Sequence, residues 1–382
     1  MRAADAHRHH EIADTADGFA IGPEDDQTSQ PGREYLAQSC HDGKVRACGD
    51  QSENWTGKRS EKENTTPMTS VHHSRPRRSV LAVPGSSAKM IDKAKGLPAD
   101  AVFLDLEDAV APIAKVEARG RIVEALNSGG WGTQLKVVRV NDWTTPWTYG
   151  DVIDVVSGAG ANLDAILLPK VETAAHVSAL DLLLTQVEKT SGLEVGSIGI
   201  EPQIESARSL RNIDEIATAS ARVQTLVFGP ADLMASVNMR TLVVGEQPEG
   251  YDTGDAYHHI LMTILLAART HGLQAIDGPY LHIRDLDAFR RAAGRTAGLG
   301  FDGKWVLHPT QIDAANEIFS PRQADFDKAE EILEAYDFHT SAAGGARGAV
   351  MLGEEMIDEA SRKMALVISA KGRAAGMVRT GS

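Results

Sequence analysis

The sequence predicts an α/β fold, a closed (β/α)8 TIM barrel with a C-terminal helical extension. Three observations carry this. Eight short, near-continuous apolar runs follow one another between Ser79 and Leu307 with helical patterns between them, as parallel strands covered by helices require. Seven of the eight runs finish in or beside an ionisable residue, while their interiors are almost purely apolar apart from Asp105 and Glu201. The alternative, an open doubly wound sheet, expects a glycine fingerprint after its first strand, and Pro84-Gly85-Ser86-Ser87 has one glycine.

Composition narrows the function classes. The chain has 382 residues and a net charge of −14, which argues against nucleic acid and anionic membrane surfaces as partners but allows small anionic substrates in a local basic pocket. No apolar run reaches the roughly 18 residues of a membrane span. Cys40 and Cys48 both lie in the first fifty residues, so the folded body has no internal disulfide, and a cytoplasmic location fits.

Residues 1–76 are polar, His- and Ser-containing and aperiodic, and read as a disordered extension lying upstream of the fold. Cys40-His41 and Cys48 lack the second half of a metal knuckle. The barrel spans residues 77–320. Its runs are 79–83, 101–108, 135–140, 165–170, 198–204, 225–228, 273–276 and 304–307, with helices at 174–189, 207–219 and 256–271 among the connections. Arg240 to Thr253 reads as an inserted loop near the mouth. Residues 321–382 form the extension: a helix at 324–336, a Gly/Ala/Ser linker at 340–348 and an amphipathic helix at 354–375. A barrel is complete after eight strands, so this tail lies over the barrel or over a neighbouring subunit.

The strand ends carry the chemistry, because working residues of barrel enzymes sit at the C-terminal ends of strands. In order they read Pro84-Gly85, Glu107 and Asp108, Arg139, Lys170, Glu205, Asp232, Asp277 and His308. Glu205 and Asp232, at successive strand ends, suit a hard dication such as Mg²⁺, with Glu107 and Asp108 as acceptors for its waters. Arg139 and Lys170 balance the acids, and the Arg139 fork suits a carboxylate or a developing enolate oxygen. A dication here polarises a bound 2-oxo-acid, which supports making or breaking a carbon–carbon bond beside a carbonyl. Gly-x-Ser-x-Gly is absent, and the acids around Lys170 hold it protonated rather than free for Schiff-base chemistry.

The motifs Arg78-Ser79-Val80-Leu81-Ala82-Val83-Pro84-Gly85, Asp105-Leu106-Glu107-Asp108-Ala109-Val110, Val138-Arg139-Val140-Asn141, Leu168-Pro169-Lys170, Ile204-Glu205-Ser206-Ala207 and Phe228-Gly229-Pro230-Ala231-Asp232-Leu233 resemble the citrate lyase β-subunit/HpcH-HpaI aldolase superfamily. Within it, Ala275-Ile276-Asp277-Gly278-Pro279 and residues 300–311 are most similar to the malyl-CoA/β-methylmalyl-CoA lyases. The resemblance implies a Mg²⁺-dependent CoA-ester lyase, with Mn²⁺ as a substitute, on a barrel assembled as a homotrimer or homohexamer. It implies metal ligands Glu205 and Asp232, a substrate arginine at Arg139, and substrate contacts by Lys170, Glu107 and Asp108. It also implies that Asp358 is the acid/base residue, delivered into a neighbour's site; by position alone Asp358 is an acid in the first turn of the last helix. Relatives carry a basic residue directly after the first Pro-Gly, where CoA phosphates bind. Here only Lys89 is available. The substrates implied are a CoA ester, with coenzyme A as part of it, and a 2-oxo-acid. Rival activities are citramalyl-CoA cleavage, a malyl-CoA thioesterase or malate-synthase-like reaction, and a citrate-lyase-type subunit working on an acyl-carrier protein.

Overall fold

The computed structural model describes residues 75–380. The reading of the N-terminal extension and of Cys40, His41 and Cys48 therefore lies outside the described residues, except at its boundary. There Arg75 pairs with Asp164 at 2.5 Å.

Eight parallel strands close into one barrel in chain order, β1 (Ser79–Pro84), β2 (Ala101–Asp105), β3 (Leu135–Arg139), β4 (Ala165–Leu168), β5 (Gly199–Ile204), β6 (Thr225–Phe228), β7 (Gln274–Asp277) and β8 (Gly303–Val306). Closure is made by β1 against β8, where Val80 lies opposite Trp305. The connecting helices are α1 (Ala88–Lys95), α2 (Lys115–Asn127), α3 (Thr148–Ala159), α4 (Ala174–Thr190), α5 (Ala207–Arg211), α6 (Ile213–Thr218), α7 (Pro230–Ser236), α8 (His258–Thr270), α9 (Leu286–Leu299) and α10 (Ile312–Ile318). The helix expected over 207–219 is broken in two at Asn212.

Alternation along each strand separates two cores. Val80, Ala101, Phe103, Leu135, Val137, Ala165, Leu167, Val227, Ile276 and Trp305 fill the barrel interior. Their neighbours in sequence, such as Val102, Leu104, Val138, Ile166, Ile200 and Leu226, pack outward with the helices. The two acids in the strand interiors follow this parity inward. Glu201 meets Arg77 at 3.0 Å, and that guanidinium also donates to Gln274 at 2.5 Å and Gln224 at 2.6 Å. This polar plug lies at the base of the barrel, opposite the mouth. Two in-strand charges escaped the sequence reading, Lys136 and Lys304, which pair with Asp164 and Asp277.

Arg77 and Glu201 are 2% and 3% exposed, so Arg77→Met leaves a buried carboxylate without its partner. The expected loss is about 3–5 kcal/mol of stability, read by thermal or urea unfolding, with turnover at the distant mouth unchanged and Arg77→Met/Glu201→Gln regaining most of the loss.

Beyond the barrel, α11 (Gln323–Thr340) and α12 (Glu359–Ala374) form an antiparallel pair, tied by Arg373 to Glu330 at 2.6 Å and by Phe326 against Gly372, where a Cβ would come within 2.2 Å of the ring. Lys371 reaches Asp302, just before β8, at 3.0 Å, which anchors this end of the pair at the barrel base. At the other end lies a hairpin that the sequence reading missed, β9 (Val350–Leu352) against β10 (Glu355–Ile357). Its turn is Gly353-Glu354, with Gly353 at φ +61°, a left-handed position that glycine adopts freely. The last helix consequently starts at Glu359 rather than Glu354, and Asp358 is its N-cap.

Candidate active site

The mouth is built on β2 and β3. Asp105 and Arg139 occupy the same register position on neighbouring strands, both facing inward above Phe103 and Val137. Arg139 donates through Nε and Nη2 to the two Asp105 oxygens at 2.7 and 2.6 Å, and its Nη1 lies 2.9 Å from Glu107 Oε2. The guanidinium is centred 5.6 and 5.5 Å over the Phe103 and Trp305 rings, a cation–π floor. Two of its five N–H groups hydrogen-bond to Asp105, and Nη1 is held as an ion pair by Glu107.

Asp105 is the site residue that sequence reasoning passed over. An ionisable residue on the inward parity of a barrel strand, one step below the expected strand end, was the available signal. Burial pushes its carboxyl up, but the Arg139 hydrogen bonds and charge, with the N–H groups of Glu107 and Ala109, outweigh this and hold it below the usual range.

Glu107 is expected from sequence as an acceptor for metal-bound waters, with Arg139 and Lys170 balancing its charge. Both of its oxygens are engaged, Oε2 by Arg139 and Oε1 by Lys170 Nζ at 2.5 Å, which makes it a brace between the two cations. Asp108 is exposed and lies 3.8 Å from Arg139 and 4.0 Å from Lys170, so it is the more open of the two acids. The Glu107 carboxyl is held above its ordinary range because burial outweighs Arg139 and Lys170. Burial works against the Lys170 ammonium, yet its hydrogen bond and attraction to Glu107 raise its pKa, as the sequence reading of a protonated lysine requires.

Lys170 has φ +50°, uncommon for a side chain with a Cβ and costing on the order of 1 kcal/mol. The turn breaks strand alternation after Pro169. It aims the Lys170 backbone N–H at Glu205 Oε1 and sends the side chain across to Glu107. Gln203, inward on β5, donates its amide to Glu205 Oε2. A Cβ at Gly229 would lie 2.4 Å from that oxygen, so the chain needs glycine there to make room for Glu205.

Glu205 is 3% exposed. Burial first, and then the neighbouring Glu107 and Asp232 carboxylates, push its pKa up to about 8 against the opposing Lys170 N–H. Asp232 is half-buried in the first turn of α7. The Asp232 carboxylate adds to the cost of ionising Glu205, and such a pair of neighbouring acids suits a cation. Among the described residues no group of three or more Asp, Glu, His or Cys side chains is placed to hold a metal ion.

The remaining sequence candidates lie elsewhere. Asp277 faces outward, not into the mouth: it pairs with Lys304 at 2.6 Å and accepts from Thr296 Oγ1 of α9 at 2.9 Å. Its parity is opposite to that of Ile276, so strand twist and alternation turn it toward the helices. His308 shapes a loop, its Nδ1 accepting from the Thr310 N–H at 3.3 Å. Lys89 is exposed in the first turn of α1, apart from the acid and cation cluster. Asp358 bonds only within its own helix turn, accepting from Ala360 N at 2.9 Å and Ser361 N at 3.0 Å. Those backbone bonds hold its carboxyl below the usual range. No described helix is long and apolar enough to cross a membrane.

A (β/α)8 barrel whose mouth gathers a buried arginine, a lysine and five acids is suited to an enzyme that handles developing negative charge on oxygen. The HpcH/HpaI aldolase/citrate lyase family model matches residues 78–309, and the chain belongs to that family. It is 40% identical over 302 residues to the L-malyl-CoA/beta-methylmalyl-CoA lyase of Cereibacter sphaeroides, covering 77% of this chain and 94% of that one. It is 39% identical to the enzyme of the same name from Rhodobacter capsulatus, covering 75% and 91%. A (3S)-malyl-CoA thioesterase of Cereibacter sphaeroides is 36% identical, with 70% and 85% covered. Among solved structures, CitE from Mycobacterium tuberculosis in complex with magnesium, acetoacetate and coenzyme A is similar with TM-score 0.59 and 26% identity, over 80% of this chain and 99% of that one. A citrate lyase from Burkholderia xenovorans shares the fold at TM-score 0.69 and 20% identity, over 79% and 93%. The chain is a carbon–carbon lyase.

Proposed function

We propose that the protein is a Mg²⁺-dependent lyase that cleaves malyl-CoA or β-methylmalyl-CoA reversibly to glyoxylate and acetyl-CoA or propionyl-CoA. The observation that carries this reading is the mouth itself, an arginine braced by Asp105 and Glu107 beside the crowded Glu205 and Asp232, in a chain similar to malyl-CoA/β-methylmalyl-CoA lyases over nearly their whole length. Glu205 and Asp232 would hold Mg²⁺, which when bound supplies Lewis-acid polarisation of the oxo-acid oxygens. Arg139 presents its guanidinium to the thioester oxygen as negative charge builds there during cleavage. Asp105 and Glu107 fix that guanidinium in advance, so little reorganisation is needed. Lys170 adds a second cation facing the acids.

The proton that converts the enolate to the acyl-CoA product comes from Asp358 of a neighbouring subunit in a homotrimer or homohexamer. Supporting this are the absence of any bond from Asp358 to a mouth residue among the described residues and the exposed Met351 and Met356 on the hairpin leading into it, 61% and 65% accessible. Lys89 offers the phosphate contact for CoA. We place it in the cytoplasm, as its two cysteines, both in the first fifty residues, leave residues 75–380 without a disulfide.

The deciding assay combines purified chain and Mg²⁺ with glyoxylate or pyruvate and acetyl- or propionyl-CoA. Condensation with glyoxylate is expected, with Mn²⁺ able to replace Mg²⁺. Condensation with pyruvate alone would instead assign a citramalyl-CoA lyase. Release of free CoA would favour the thioesterase or malate-synthase-like reading, and inertness toward free CoA esters the subunit that works on an acyl-carrier protein.

A further inference from the structure

Lys115 opens α2 behind the loop that carries Glu107 and is 5% exposed. Its ammonium donates to the carbonyls of Leu106 and Glu107, both at 2.7 Å, and lies 5.2 Å over the Trp147 ring centre. The other buried cations among the described residues each hold a carboxylate: Arg77 at 3.0 Å, Arg119 at 2.7 Å, and Arg139, Arg222 and Lys304 at 2.6 Å. Lys115 forms no such pair.

Burying an ammonium without a paired carboxylate is costly, even with the Trp147 ring beneath it and the more distant acids Asp105 and Asp151 attracting it, and no need to satisfy those carbonyls explains it. Leu106 O also accepts from Asn141 Nδ2 at 3.0 Å, and Glu107 O from Val110 N at 3.1 Å. Satisfying these carbonyls therefore does not by itself require a lysine. What the grip does determine is the orientation of two successive peptides, and Glu107 stands between them and the two mouth cations. The Glu107 N–H is fixed as well, donating to Asp105 Oδ1 at 2.9 Å.

We propose that Lys115 is a positioning residue of the active site: by gripping the Leu106 and Glu107 carbonyls it sets the backbone that places the Glu107 carboxylate between Arg139 and Lys170. Without the grip Glu107 swings away, and Lys170 is released toward Glu205 and Asp232, where its charge competes with a dication. The consequence for metal binding rests on the proposed Mg²⁺ lyase reading; the consequence for Glu107 does not.

Crystal structures of Lys115→Met and Lys115→Gln test this first. The expected result is a Glu107 carboxylate displaced from Arg139 and Lys170, with the melting temperature close to that of the parent; Lys115→Gln keeps one donor and serves if Lys115→Met does not fold. Calorimetry with Mg²⁺ alone should then show an affinity roughly tenfold weaker. In a Glu107→Gln background the same replacement should add no further loss, as residues acting through one another are non-additive. An unmoved Glu107, or losses that add in the double variant, would overturn the proposal. A parent protein that binds no Mg²⁺ would reject the metal reading, while the position of Glu107 would still decide the role of Lys115.

Discussion

Asp358→Asn is expected to lower turnover by about 10²–10⁴-fold, the span typical of losing a positioned acid, while Mg²⁺ and glyoxylate binding stay as in the parent. The asparagine keeps an oxygen for the Ala360 and Ser361 N–H groups that Asp358 caps, so α12 persists and the loss is chemical rather than structural. Steady-state kinetics of CoA-ester cleavage with parallel calorimetry checks this. Near-normal turnover would remove Asp358 from the mechanism. The subunit-crossing part has its own readout. Co-expression of Asp358→Asn chains with Glu205→Gln chains should recover activity that neither has alone, because some sites then combine an intact mouth with an intact tail. If each tail served its own mouth, no site in such mixtures would be complete and no activity would return.

Glu205→Gln should abolish Mg²⁺ binding and lower kcat by about 10³-fold or more, since a Lewis-acid contribution of several kcal/mol disappears. It should also change how stability depends on pH in the metal-free protein. The folded carboxyl titrates near pH 8 and its ordinary value is 4.5. Between these values the folded state binds the extra proton, so stability is greatest below about pH 4.5 and falls as pH rises through about 8. At 1.36 kcal/mol per unit the ceiling is on the order of 5 kcal/mol. Denaturant unfolding across pH 5 to 8.5 without metal should show this slope in the parent and lose it in Glu205→Gln. A parent free of the slope would show that Glu205 ionises normally despite its burial. Saturating Mg²⁺ should oppose the decline, because binding to the folded state alone stabilises it.

Much of this was legible in the residues. The eight apolar runs and the acids and cations at their ends place Glu107, Arg139, Lys170, Glu205 and Asp232 at one mouth, because alternation and helix period are local properties of a chain. The base of the barrel and the pairing within the mouth were not. Asp105 reads as an oddity in an apolar strand until β2 and β3 set it level with Arg139. Asp277 looks equivalent to Glu205 in sequence, yet it faces α9 and Lys304.

Motif resemblance to the family put Asp358 near the chemistry, but the hairpin between Val350 and Ile357 emerges only when two three-residue strands pair across Gly353. Too short to show a period, they are specified by each other. Sequence by itself determined the fold class, the list of charged strand ends and the family. Tertiary structure alone decided which of those charges neutralise one another, that Glu107 bridges Arg139 and Lys170, and that Lys170 takes a left-handed turn to reach it. The reason is physical: hydrophobic periodicity is written along the chain, whereas the partner of a buried charge is set by register, parity and closure between strands far apart in sequence.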